Sequence, residues 1–114
     1  MSLSLFDLKN KVAMVTGSTR GLGEGVDQMT KVMALEWAKQ GIRVNAIGPT
    51  YFETELVAQI RNDPERYNFI NERTPAGRWG YPDELEGIVI FLAAPASDFI
   101  TGQTIYIDGG WTAC

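Results

Sequence analysis

Apolar residues follow two different periods along this chain. They cluster in the short runs Lys11–Val15 (KVAMV), Ile42–Ile47 (IRVNAI) and Gln103–Ile107 (QTIYI), as strands buried on both faces of a sheet do. Between the first two runs, Leu22, Val26, Met29, Met33 and Trp37 recur every three or four residues, one stripe of a helix of about five turns. That helix should stop at Gln40–Gly41, with Gly41 as its left-handed end. Gly48-Pro49-Thr50 is expected to break the second strand. Residues 53–61 and 64–72 then read as two short helices around the Asn62-Asp63-Pro64 turn, a charged surface lobe for which a mobile flap is one reading. Pro82 suits a first helical position, Asp83 and Glu84 suit the positive helix end, and Leu85, Ile88, Val89 and Leu92 form a second stripe ending near Ala94–Pro95. Strand-helix alternation predicts a single α/β domain with a parallel sheet over strands 11–15, 42–47 and 103–107.

The first strand leads into Gly17, Gly21 and Gly23, where glycine lets the backbone turn tightly and approach a ligand. A helix opening directly after such a turn points free N–H groups and the positive end of its dipole at a bound anion. A glycine turn alone is equally a plain structural turn; the strand before it and the helix after it are what a phosphate cradle requires. The candidate cofactor-binding residues here are Gly17, Ser18, Thr19, Arg20, Gly21, Leu22 and Gly23. Arg20 offers a charge for a 2′-phosphate, or is an exposed turn residue. No Lys-Ser/Thr pair follows the turn, so it differs from the loop that holds ATP or GTP.

Composition narrows the classes. With 114 residues, 45% of them apolar, there is enough for one core, and a net charge of −4 with no basic block argues against nucleic acid. The chain has no histidine and one cysteine, Cys114, which leaves no internal disulfide or thiolate metal cluster, so a metal-free, cytoplasmic protein is expected. Residues 1–10 read as a polar lead-in with Leu5, Phe6 and Leu8 packing on the domain edge, too short in apolar residues for a signal peptide. No apolar run approaches a membrane span.

The spacing Thr16-Gly17-x-x-x-Gly21-x-Gly23 resembles that of the short-chain dehydrogenase/reductase family, and the resemblance extends over nearly all of residues 11–113. Val26–Gln40 followed by GIRVNAIGPTYFETEL is similar to the family's long helix after the active site, its penultimate strand and the Asn-x-Ile-x-Pro loop that lies against the nicotinamide. Arg78–Glu84 (RWGYPDE) and the ending ITGQTIYIDGGWTA resemble the last helix and strand, and DGGWTA resembles the sugar-acid branch that includes gluconate 5-dehydrogenases. The resemblance implies a Rossmann-like three-layer fold, NAD or NADP as cofactor, hydride transfer between nicotinamide and a secondary alcohol or ketone, and a small-molecule substrate. It also implies that Pro49 and Thr54 belong to the nicotinamide loop, although Thr50 stands where the family commonly has glycine.

The departures from the pattern are large. Family members are much longer, and what is missing lies between the glycine turn and the long helix. Absent are the second strand with its ribose-binding acid, the Asn-Asn-Ala-Gly turn, the catalytic Ser and the Tyr-x-x-x-Lys pair. Four residues beyond Tyr51, Tyr67, Tyr81 and Tyr106 stand Glu55, Asn71, Leu85 and Gly110. A tyrosine acting as general acid or base needs a neighbouring ammonium to lower its pKa, and no residue here qualifies as catalytic. The join falls near Gly25, so Leu22–Gly25 and Val26–Lys39 derive from two helices welded into one, with the apolar stripe in phase across the weld.

In the family the first strand lies near the middle of the sheet, separated from the last two by strands missing here. Two arrangements stay open: the three strands re-pair into a small sheet, or they keep their old places with the gap filled by other chain. Three helices leave apolar surface and strand edges bare, which predicts a homo-oligomer. The functional readings are a shortened oxidoreductase without its catalytic centre, a non-catalytic nucleotide-binding or self-associating module, and an oligomerisation peptide. Among the remaining candidates, Asp83-Glu84 reads as helix-end electrostatics, Trp37, Trp79 and Trp111 as packing or interface residues, and Met29 and Met33 as core or subunit contact.

Overall fold

A computed structural model describes residues 12–16, 22–55 and 58–114. Three parallel strands, β1 (Val12–Thr16), β2 (Arg43–Pro49) and β3 (Thr104–Ile107), form one sheet in the order β1-β2-β3. The strands have therefore re-paired: Val12 stands opposite Arg43 and Thr16 opposite Ile47, with nothing between β1 and β2. On the other side Ala46 faces Thr104 and Pro49 faces Ile107.

Helix α1 (Leu22–Trp37) continues as a tighter turn through Ala38–Gln40 and ends at Gly41, whose φ of 78° is the left-handed conformation glycine adopts without strain. Unlike the stripe read from the large apolar residues, the helix buries Thr30 and Ala34, while Met29 is 51% exposed and not in the core. Small side chains let α1 sit close to the sheet. Ala34 packs with Ile42 and Val44, with Met33 and Trp37 alongside. The Thr30 hydroxyl donates to Val26 O within the helix (2.7 Å).

The second strand does not break at Gly48-Pro49 but runs through both residues. The Ala46 N–H donates to Gln103 O (2.8 Å) and the Gly102 N–H to Val44 O (2.7 Å), so even-numbered residues of β2 bond towards β3 and odd-numbered ones towards β1. Pro49 thus turns its missing donor to the β1 side, past the last pair Thr16–Ile47, where no ladder bond is lost. Gly48 is required by its neighbour: a Cβ there would lie 2.7 Å from the Tyr106 ring.

Of residues 53–61, the described part is α-helical only in α2 (Ala58–Arg61). Helix α3 (Pro64–Arg73) opens with Pro64 at its first position and the Asp63 carboxylate accepting from the Arg66 N–H. A tight turn over Pro82–Leu85 feeds α4 (Glu86–Ala93), which buries Leu92 and leaves Ile90 67% exposed. Val44 packs against α1, whereas the neighbouring Arg43 reaches the carbonyls of Leu92 and Ala94 at the end of α4. Successive side chains of a strand point to opposite faces, so α1 and α4 cover opposite sides of the sheet, a three-layer arrangement.

Candidate functional site

Because all three strands are parallel, their carboxyl ends lie at one edge of the sheet. In open α/β sheets that edge is where ligands bind. The predicted cradle follows β1 here. Gly17, Ser18, Thr19, Arg20 and Gly21 lie outside the described residues; Leu22 and Gly23 are the first two residues of α1. Pro49 is the last residue of β2, and Thr54 lies in the segment that follows it.

That segment is held by backbone pairing. Phe52 and Gly80 form an isolated parallel bridge; the Glu53 N–H donates to Gly80 O (2.9 Å) and the Gly80 N–H to Tyr51 O (3.0 Å). The Thr54 N–H donates to Phe52 O (2.9 Å), folding the loop back on itself. Aromatic packing sets its position: Tyr51 lies 5.4 Å from both Trp79 and Trp111, and Trp79 stacks on Tyr67 at 5.1 Å. Trp79 and Trp111 are therefore packing residues, as is Trp37 against the α1 core.

Between the chain leaving β2 and the chain leaving β3 is a cavity of about 70 Å³, lined by Thr50, Tyr51, Thr74, Arg78 and Asp108 among others. Its volume has room for water or a small polar group and is too small for a dinucleotide, whose pockets run to several hundred Å³. Its charged groups are internally satisfied. Asp108 accepts from the Gly110 N–H (3.0 Å), the Thr112 N–H (2.9 Å) and the Thr112 hydroxyl (2.6 Å). Burial pushes its pKa up, but these donors outweigh burial and hold it below the ordinary aspartate value. Arg78 grips Glu84 with both terminal nitrogens (2.7 and 2.9 Å), and Glu84 also accepts from the Tyr81 N–H (2.9 Å).

Glu84 is thus the helix-end residue read from the sequence. The hydrogen bond from Arg78, then that from the Tyr81 amide, lower its pKa from 4.5 to about 2. A depressed carboxylate contributes stability that is present above its unfolded pKa and is lost as pH falls through the folded one. Thermal unfolding between pH 7 and pH 2 should therefore show the native chain losing an increment across roughly pH 4.5 to 2 that Glu84→Gln lacks. Parallel curves for the two proteins would show that this grip carries no pH-linked stability.

Two of the four tyrosines, Tyr67 and Tyr106, have carboxylate neighbours, the wrong ones for acid-base work. The Tyr67 hydroxyl donates to Glu53 (2.7 Å), and that bond, more than burial, raises its pKa. The Tyr106 hydroxyl donates to Asp27 (3.2 Å), and burial followed by the Asp27 charge raises it too. Asp27 also accepts from the Thr104 hydroxyl (2.6 Å), tying α1 to β3. Asp27 carried no local sequence signal, since its partners are brought to it by the fold, whereas Asp108 bonds near neighbours in the chain, Gly110 and Thr112.

The family model described as enoyl-(acyl carrier protein) reductase matches residues 16–112. A 2-dehydro-3-deoxy-D-gluconate 5-dehydrogenase of Escherichia coli (strain K12) is 52% identical over 89 residues, 78% of this chain and 35% of the relative. The chain spans about a third of the length of the curated relatives it matches. Among solved structures, a gluconate 5-dehydrogenase from Burkholderia cenocepacia in complex with NADP and tartrate is 48% identical with a TM-score of 0.77, covering 80% of this chain and 36% of that one. A short-chain type dehydrogenase/reductase from Mycobacterium marinum is 34% identical with a TM-score of 0.80, covering 90% and 45%.

Proposed function

Because this chain belongs to the short-chain dehydrogenase/reductase family, we propose that it carries the dinucleotide-binding part of an NAD(P)-dependent sugar-acid oxidoreductase and, in its 114 residues, does not catalyse hydride transfer. The observation that carries the second half is the setting of two tyrosines: Tyr67 and Tyr106 bond to carboxylates, and their pKa values are raised, by the Glu53 bond first at Tyr67 and by burial and then the Asp27 charge at Tyr106, where the chemistry needs a cation to lower one. The first half is supported by the convergence of strand ends. Gly17–Gly23 would cradle the pyrophosphate at the opening of α1, a sixteen-residue helix with a full dipole, and Pro49 and Thr54 would border the nicotinamide. Bound there, the nicotinamide would supply or accept the hydride. No residue of this chain would move the accompanying proton. An internal shortening near Gly25 would account for the loss, a reading supported by α1, which opens at Leu22 and is followed after a short turn by β2.

Titration of the mass-verified chain with NADP and with NAD tests this reading. Saturable binding is expected, weakened about tenfold or more by Gly21→Asp, whose carboxylate would repel the pyrophosphate; tenfold is about 1.4 kcal/mol. No turnover is expected with gluconate or 2-dehydro-3-deoxygluconate. Sustained NAD(P)H formation would overturn the inactive assignment. Absence of binding would leave a self-associating module as the reading, which the exposed Met29, Val32, Leu35 and Ile90 favour.

A further inference from the structure

We propose that two copies of this chain join edge to edge through β1, in antiparallel register about a two-fold axis at Met14, so that one sheet runs β3-β2-β1-β1-β2-β3 through both. The backbone register defines the joining surface. Odd-numbered residues of β2 bond towards β1, so Asn45, opposite Met14, engages Ala13 and Val15. The N–H and C=O groups of Val12, Met14 and Thr16 consequently point to the other side of β1. Among the described residues no strand lies there. Native edges are protected by charge, proline or a bulge, and VAMVT has neither charge nor proline.

A second copy fits this edge for a geometric reason. With the axis at Met14, Met14 faces Met14 and Val12 faces Thr16, and every facing residue is one whose polar groups point outward. Each facing pair then exchanges two hydrogen bonds, and the contact is self-complementary, as a two-fold interface must be. Five residues of strand bury too little for a stable dimer, which needs about 800 Å² on each partner. The helices that touch β1, namely α1 and α4, supply the remainder: Met29, Val32 and Leu35 are exposed on the first, Val89, Ile90 and Phe91 on the second. This inference stands whether or not a dinucleotide binds.

The test is the mass of the chain in solution by light scattering at tens of micromolar, for the native protein and for two proline variants. The native chain is expected to be dimeric. Met14→Pro removes an outward donor only, and should give a folded monomer. Val15→Pro removes the donor to Asn45 within the sheet and should destabilise the fold itself. A monomeric native chain, or a Met14→Pro variant that remains dimeric, overturns the proposal. Should Met14→Pro fail to fold, residue-resolved amide exchange of the native chain decides: the Met14 amide should exchange about tenfold or more slowly at concentrations where the dimer forms than at dilution, and exchange independent of concentration refutes the joint.

Discussion

Trp79→Ala is expected to destabilise the chain by about 3–5 kcal/mol, the cost of deleting a large buried aromatic side chain. A chain of this length has a total stability of roughly 6–15 kcal/mol, so the loss takes a large share of it. Trp79 is 2% exposed and sits where three segments meet: its ring stacks on Tyr67 of α3 and lies beside Tyr51 of the loop after β2, and the next residue is the Gly80 that bridges Phe52. Removing it leaves the loop carrying Thr54 without its packing partner. Its indole Nε1–H is buried without a hydrogen-bond acceptor among the described residues, which already costs about 1–3 kcal/mol. Trp79→Phe removes that orphaned donor along with part of the ring, so the two effects offset and the net cost should stay near 1 kcal/mol. Urea denaturation of both variants measures this. Equal destabilisation by Phe and Ala would show that the orphaned donor is paired in solution, and a cost for Ala below about 1 kcal/mol would remove Trp79 from the core.

The strands, the long helix and the end at Gly41 were legible because each is set by local rules: runs of apolar residues, a 3.6-residue period and a glycine that tolerates positive φ. The buried face of α1 was legible only in part: Met33 and Trp37 of the apolar stripe pack beside the core, but the centre of that face was not legible. Periodicity is read from large side chains, but this helix approaches the sheet through Thr30 and Ala34, and a Cβ on Gly102 would lie 3.4 Å from that of Ala34. The persistence of β2 through Pro49 depends on which side its missing donor faces, which follows from the neighbouring strand and not from proline itself. The pairing of β1 with β2 likewise depends on neighbouring strands, and the sequence alone allows two arrangements. At the site, the glycine spacing and the Pro49–Thr54 segment are features of the sequence itself and the Asp108 nest joins near neighbours, Gly110 and Thr112, whereas the Asp27 tie links residues brought together only by the fold, its partners lying more than seventy positions away.

The second large effect belongs to a charged residue in the middle of the sheet. Arg43 is paired with Val12 in the backbone register, and its guanidinium extends to the far end of α4 with the side chain 15% exposed. One terminal nitrogen donates to the Ser97 carbonyl and hydroxyl, both at 2.6 Å, and to Leu92 O at 3.4 Å; the other donates to Ala94 O at 3.4 Å and lies 3.5 Å from Asp98. Carbonyls at a helix end have no partner within the helix and carry its negative pole, so a guanidinium placed there meets both needs. The Ser97 hydroxyl, also bonded to Leu92 O and Ala94 O, completes the cap. Arg43→Met keeps the stem and removes the donors, which should cost about 2–4 kcal/mol, because buried carbonyls are left under-satisfied. Asp98 contributes little to that figure, being mostly exposed. Arg43→Lys should recover only part of the loss, since one ammonium cannot span acceptors that the planar fork reaches from two nitrogens. Denaturant unfolding gives the magnitudes, and amide exchange locates them: residues 92–100 should lose protection in Arg43→Met before the strands do. Arg43→Met within about 0.5 kcal/mol of the native chain would mean that Ser97 caps α4 unaided.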